Sequence, residues 1–350
     1  MAIIGIDFFC GVGGATIGFQ KAGIRVLKGI DIDPTCKDTY EKNCSPSKFI
    51  QREIHDLKPE EVLDGIELST NDRLFFIACA PCQPFSRIAH KSSVDASLIL
   101  AFAEFVRELK PHIIFIENVL GLADASKGHV LRKLLHILES DELSYECEWN
   151  AVDARYYGVP QKRTRFIMLA SRIGRIPFPP KTHGKNLRYV TVEDVISKYP
   201  PIKAGETHKD IPNHSARVLS ELNLKRIRNI PKNGGSRKDW PRELWLECHK
   251  KNSGHTDVYG RMRWKMPAPT LTCKCNSISN GRFGHPTQDR AISLREAAAL
   301  QTFPDDFIFY GKTTNIARHI GNAVPPLIAE VFGKEVVTYV NSISKTALYN

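Results

Sequence analysis

The chain opens on a continuous apolar run, Ile3–Phe9, that ends in Gly11, Gly13 and Gly14; a helix-like stretch follows and stops at Ala22-Gly23. Arg25–Ile30 reads as the next strand, with Asp31 at its C-terminal end. Leu74–Ala78 and Ile113–Ile116 are apolar, β-branched or aromatic runs of the kind that form strands buried on both faces. Between them Leu98, Ala101, Phe102, Phe105, Val106 and Leu109 fall on one face of a helix, which Lys110-Pro111 ends. Phe166–Ala170 adds a further strand. Strands alternating with helices predict an α/β fold built on a doubly wound, mostly parallel sheet.

Near Ile176 this pattern gives way to short apolar runs among Pro, Gly, Asn, Lys and Arg. Periodicity returns at Ser293–Leu300, and Pro325–Val340 reads as a closing helix. The expected division is residues 1–175 plus 305–350 as a catalytic and cofactor-binding domain, with 176–304 as a smaller, irregular, basic domain and hinge. Charge sharpens this division. Residues 181–290 hold 22 Lys and Arg against 10 Asp and Glu, whereas the rest of the chain holds 27 against 28. The whole of the +11 net charge therefore sits in the middle segment, which points to a polyanionic partner.

Length and composition are those of a soluble globular protein, and no apolar run reaches membrane-spanning length. The first residues carry neither a basic leader nor a cleavage pattern, so a cytoplasmic location is expected. Nine cysteines, odd in number and without framework spacing, suggest reduced and mostly buried thiols.

Candidate chemistry begins at Asp7–Gly14, a glycine loop between a strand and a helix, where backbone can approach a ligand closely. Asp31 lies 17 residues past Gly14 and suits a ribose hydroxyl. The position that completes a dinucleotide fingerprint is Thr16, and no P-loop lysine is present. A ligand with ribose but no pyrophosphate fits, S-adenosylmethionine among them; an ordinary tight turn remains the alternative.

Leu74–Ala78 leads into Cys79-Ala80-Pro81-Cys82-Gln83-Pro84-Phe85-Ser86. Three readings compete: a redox pair with Cys79 as the exposed thiol, inert buried thiols, and a single nucleophile, Cys82. A zinc site lacks a second ligand pair, since Cys273-x-Cys275 is too tight, and no metal is expected. Glu117-Asn118-Val119 ends the next strand, at the sheet edge where doubly wound folds bind ligands. A carboxyl there could protonate a ring nitrogen while a thiolate attacks carbon, or could simply cap a helix. Arg163 and Arg165 flank Thr164, so an extended segment would aim both guanidiniums to one side, for phosphate or carboxylate or for a surface ion-pair cluster.

These residues, in this order, resemble the cytosine-5 DNA methyltransferase family. Asp7–Gly14 is similar to its cofactor loop, Pro81-Cys82-Gln83 to its catalytic motif and Glu117-Asn118-Val119 to its proton-donor motif. Gln161-x-Arg163-x-Arg165, then Arg295-Glu296 with Leu300-Gln301-x-Phe303-Pro304, then Gly321–Pro326 match the remaining motifs. The resemblance runs from Ile4 to about Ala329, with a gap across the middle. It implies a methyltransferase fold that takes a methyl group from S-adenosylmethionine, leaving S-adenosylhomocysteine, and places it on C5 of a cytosine flipped out of double-stranded DNA. Cys82 would add to C6 and Glu117 would hold or protonate N3. Arg165 would stand near the cytosine carbonyl, with Asn118 positioning and Arg163 supporting.

The same resemblance puts Phe8, Gly11, Gly13 and Gly14 around the methionine portion of the cofactor and Asp31 on its ribose. Ile32 and Ile54 would flank the adenine, with Glu53 near its amino group; Leu98, Asn322 and Val324 are further contacts. Ile32 stands where the family often has an aromatic, Asp31 where Glu is common and Glu53 where Asp is common, mild changes that bear on affinity. Ser86 and Arg87, in a loop over 85–97 that would close on the DNA, and Thr270 and Leu271, with the polar stretch Asn276–Arg282, are the expected DNA contacts. A restriction-modification setting with a cognate endonuclease, and a monomer, fit this reading. An RNA cytosine methyltransferase of the same fold and a catalytically silent DNA-binding regulator are the alternatives; the basic middle segment argues against the first, and intact Cys82, Glu117 and Arg165 against the second.

Overall fold

The computed structural model describes residues 1–81, 97–124, 129–185, 187–251 and 257–349. Cys82, Ser86, Arg87 and most of the expected closing loop fall outside the described residues. The chain forms two compact units, Met1–Ala154 with Thr164–Lys181 and Val324–Asn350, and Arg155–Arg163 with Thr182–Ala323.

The first unit is a seven-stranded sheet: β1 (Ile3–Phe8), β2 (Arg25–Asp31), β3 (Lys48–Gln51), β4 (Arg73–Ala78), β5 (Ile113–Asn118), β6 (Glu146–Asp153) and β7 (Thr164–Ser171), in the order β3-β2-β1-β4-β5-β7-β6. The first five strands are mutually parallel, while β7 runs antiparallel to both β5 and β6. Every residue of β1 and β5 is buried, as expected for strands covered on both faces. The covering helices include α1 (Gly14–Lys21), α2 (Lys37–Asn43), α3 (Pro59–Leu63), α4 (Ser97–Leu109) and α5 (Val130–Leu138), with Pro326–Tyr349 lying against α1. Phe8 packs edge-on to Phe76 and Phe102, with ring centroids 5.0 and 5.2 Å apart. No helix among the described residues is long and apolar enough to cross a membrane.

Two strands escape the hydrophobic pattern for physical reasons. β3 is only four residues long, and β6 is an edge strand with exposed residues on both faces, Glu146 and Asn150 on one and Trp149 and Ala151 on the other.

The second unit has few ladders. Residues 155–163 belong to it because Lys162 N donates to Ala268 O (2.8 Å) and Ala268 N to Pro160 O (2.8 Å). Residues 305–323 do too, since Gln301 Nε2 donates to Ile320 O (2.9 Å) and Ala323 O (2.7 Å). The expected boundaries at 175/176 and 304/305 differ from these. A buried carbonyl needs a donor, and where strands are missing arginines supply it. Arg261 is fully buried and donates to the carbonyls of Ile227, Ile230, His285 and Gln288. Arg295, also fully buried, serves Pro212, Pro304 and Phe307. Arg290 grips Glu296 by two 2.7 Å bonds, and Glu296 in turn accepts from Ser293 N to cap the helix Leu294–Leu300. Arg226 lies 5.4 and 5.7 Å from the ring centroids of Trp240 and Tyr259.

These bonds correct the charge reading. Arg226, Arg237, Arg261 and Arg290 are interior residues, so only part of the positive excess of 181–290 can face a polyanion.

The buried pair carries a stability expectation. Arg290→Met would leave the carboxylate of Glu296 buried with only His285 beside it, 3.7 Å away and kept neutral by burial, at a cost of about 3–5 kcal/mol. Denaturant unfolding measures it; a loss under about 1 kcal/mol would contradict the role given to the pair.

Candidate active site

At the carboxyl end of β1 the chain turns through Phe9 (φ 62°) and Gly11 (φ 52°) to Gly13 (φ 90°), which opens α1. Gly13 has to be glycine twice over: its backbone is left-handed, and a Cβ there would overlap the Cys44 sulfur. Beside Gly11, by contrast, no atom of the described residues would lie within 4 Å of an added Cβ, so among them that side of the loop is open. Gly11 N donates to Asp31 Oδ2 (2.8 Å) and Asp33 N to Asp31 Oδ1 (2.9 Å). The two bonds fix the orientation of the carboxylate at the end of β2. Ile32, next to it, is 60% exposed, an apolar surface offered to solvent. Glu53 is exposed, Ile54 buried, Leu98 half-buried, and Phe8 and Gly14 buried. An open loop, an oriented carboxylate and an exposed apolar side chain fit an amino-acid and nucleoside ligand such as S-adenosylmethionine.

Sequence reasoning passed over what lies beneath this loop. Asp7 is fully buried, and Thr16 Oγ1 donates to its Oδ2 at 2.6 Å. Among the described residues its other oxygen has no hydrogen-bond partner. Burial pushes the Asp7 carboxyl up to about 7, with the Thr16 bond opposing the rise and the charge of Asp31 adding to it. The available signal was a carboxylate set inside an otherwise apolar strand.

The adjacent strand ends bring the next candidates together. Glu117, near the end of β5, is 8% exposed, and its Oε1 lies 3.2 Å from Arg165 Nε at the start of β7. Asn118, 1% exposed, donates from Nδ2 to Ala80 O (3.2 Å) and accepts from Val119 N (2.8 Å), tying β5 to the exit of β4. Cys79 lies just past β4 and is half-buried; desolvation, then the charges of Asp7 and Glu117, push its thiol well above the ordinary range. A thiolate is disfavoured there, which counts against the redox-pair reading.

Arg163, expected to point alongside Arg165, is 2% exposed and directs its guanidinium to the carbonyls of Leu271 (3.3 Å), Gly321 (3.3 Å) and Ala323 (3.2 Å). Those three acceptors explain the departure: Arg163 stitches the second unit. Thr270 Oγ1 donates to Lys162 O (2.5 Å) and is half-buried. Leu271 is 1% exposed, so its side chain is core and cannot serve as the expected DNA contact. Arg282 is likewise turned inward, onto the carbonyls of Gly234, Gly235 and Arg261. Asn322 is exposed and accepts from Cys273 Sγ (2.9 Å), and Val324 is buried.

Comparison with known proteins fits this arrangement. The family profile of C-5 cytosine-specific DNA methylases matches residues 3–338. The Type II methylase M.HgiDII of Herpetosiphon aurantiacus is 41% identical over 97% of this chain and 96% of its own length. The Type II methyltransferase M1.HphI of Haemophilus parahaemolyticus is 32% identical over 96% of this chain and 87% of its own. A crystal structure described as a DNA modification methyltransferase encoded within an Escherichia coli prophage superposes with a TM-score of 0.77 at 24% identity, covering 97% and 100% of the two chains, a likeness of fold.

The buried carboxyl predicts a pH effect. Folded Asp7 titrates near 7 against an ordinary 3.8, so the folded chain holds the extra proton and loses this contribution as pH rises from about 4 through about 7. Asp7→Asn keeps the shape without the titration. Its thermal stability relative to the native chain should therefore improve between pH 5 and pH 8, and an unchanged difference across that range would refute the assignment.

Proposed function

Because the chain belongs to the C-5 cytosine-specific DNA methylase family, we propose that it moves a methyl group from S-adenosylmethionine to C5 of a cytosine flipped out of double-stranded DNA, through a covalent bond between Cys82 and C6. The observation that carries this reading is the Glu117–Arg165 pair, a nearly buried carboxyl held by a cation at the end of a strand one position in the sheet from the strand that leads to Cys82.

When bound, S-adenosylmethionine supplies an electrophilic methyl group whose departure leaves a neutral thioether. Phe8, Gly11, Gly13 and Gly14 would hold its methionine portion and Asp31 its ribose, with Ile32 and Ile54 at the adenine and Glu53 near its amino group. Cys82, as thiolate, forms a bond to C6 while Glu117 gives N3 a proton, which places electron density on C5. Arg165 keeps Glu117 aimed and reaches the cytosine carbonyl, and Asn118 fixes the backbone ahead of Cys82. C5 takes the methyl group and then loses its proton to a base. The C6–sulfur bond breaks, N3 returns its proton and Cys82 is free again. Arg163 acts as a support for the second unit, outside the bond-making.

Extracting the base costs a few kcal/mol, which phosphate contacts from exposed Lys and Arg within 181–290 would offset. Thr270 is retained as a DNA contact, and the second unit is read as the target-recognition domain. The Type II names of the relatives support a restriction-modification role, which we read as acting beside a cognate endonuclease, with the chain itself read as a monomer.

Cys82→Ser should abolish methyl transfer while DNA binding persists, and DNA carrying 5-fluorocytosine should trap the native chain covalently when S-adenosylmethionine is present. Normal turnover in the variant, or no trapped adduct, would sink the covalent scheme; faster methylation of an RNA than of duplex DNA would redirect the substrate. Neutralising exposed Lys and Arg within 181–290 should flatten the dependence of log K on log salt by about 0.9 for each phosphate that the protein then leaves unneutralised. An unchanged slope would remove that segment from the interface.

A further inference from the structure

Under the glycine loop lies a chain of buried hydroxyls that no step of the proposed mechanism uses. Thr16 Oγ1 donates to Asp7 Oδ2, stands 3.0 Å from the Tyr40 hydroxyl, and that hydroxyl stands 2.7 Å from Ser47 Oγ. Each hydroxyl has one proton. When Asp7 is ionised, Thr16 commits its own to Asp7, and the chain then runs with Tyr40 donating to Thr16 and Ser47 to Tyr40. Asp7, Thr16 and Tyr40 are fully buried and Ser47 is 5% exposed, so water does not compete for these bonds.

The Tyr40 ring is wedged as tightly as its hydroxyl is bonded. A Cβ at Gly29 would overlap the Tyr40 hydroxyl and ring, and one at Gly13 would come within 3.1 Å of the same ring. Gly29 pairs with Asp7 in the β1–β2 register and lies two residues before Asp31. One side chain from α2 thus touches β2 just ahead of the candidate ribose carboxylate and touches the loop at the start of α1.

We propose that Tyr40, acting with Thr16, is a positioning residue for the cofactor: it holds the glycine loop and Asp31 in their binding arrangement before the ligand arrives. The proposal rests on reading that loop as the S-adenosylmethionine site. Without the hydroxyl chain the loop would sample other arrangements, and apparent affinity falls in proportion to the fraction of competent molecules. The chemical step, which belongs to other residues, would keep its rate once the site is saturated.

Isothermal titration with S-adenosylhomocysteine and steady-state methylation of duplex DNA test this together. Tyr40→Phe and Thr16→Val should each raise the Kd for S-adenosylhomocysteine and the KM for S-adenosylmethionine roughly tenfold, with kcat within about twofold of native. Thr16→Ser, which keeps the hydroxyl, should restore most of the affinity. Asp31→Ala serves as the control. If it loses binding while Tyr40→Phe and Thr16→Val bind as the native chain does, the positioning role is overturned and the cofactor site stands. If Asp31→Ala binds normally, the reading of the loop fails and takes the proposal with it. Should Tyr40→Phe not fold, the Thr16→Ser and Thr16→Val pair decides, and equal affinities in that pair overturn the proposal.

Discussion

The meeting of Glu117 with Arg165 is the contact around which the first unit is arranged. A carboxylate that is nearly buried is tolerable only with a cation close by, because the cost of an uncompensated buried charge runs to several kcal/mol. The sheet delivers that cation by a reversal of direction. β7 runs antiparallel to β5, so its first residues lie beside the last residues of β5; a parallel β7 would carry Arg165 to the far end of the sheet. With β7 in that slot, β6 is left at the edge, and half of its residues are exposed. The mixed character of the sheet is what brings this guanidinium to Glu117.

A different constraint governs the second unit. Its helices are short, and among the described residues much of its backbone pairs with no strand. Arginine suits such an interior because one planar group carries five donors in fixed directions. Arg163, Arg261 and Arg295 each gather carbonyls from segments distant in sequence. Each takes the place that a short β-ladder fills elsewhere, although it requires desolvating a cation. Arg290 offsets that desolvation with a bidentate carboxylate.

How much of this could be read in advance follows from where information resides in a chain. β1, β2, β4, β5 and β7 announce themselves because burial makes them mostly apolar, with polar exceptions such as Asp7 and Lys28. β3 and β6 do not, since a short strand and an edge strand are free to be polar. Strand direction was not legible either, as periodicity of two is the same both ways. Among site residues, Glu117, Asn118 and Arg165 stood at strand ends, a position that sequence can specify. The inward turn of Arg163, Leu271 and Arg282 was hidden, because an arginine that binds phosphate and one that binds carbonyls are the same letter. Asp7 and Tyr40 were hidden for the opposite reason: each looks like part of an ordinary element, and only the packing brings them into one network.

That packing also limits how the chain can change over generations. Tyr40 fills the volume that a side chain at position 29 would claim and crowds position 13, which Cys44 and a left-handed backbone also hold to glycine, so the three positions form a single spatial unit across a helix, a strand and a loop. A lineage cannot enlarge residue 29 first and shrink residue 40 later, since the intermediate would not pack. The passable route removes the tyrosine first and crosses a form with a loosened loop. Drift at these positions should therefore be slow and correlated, and swapping this segment between relatives should succeed only when all three positions travel together.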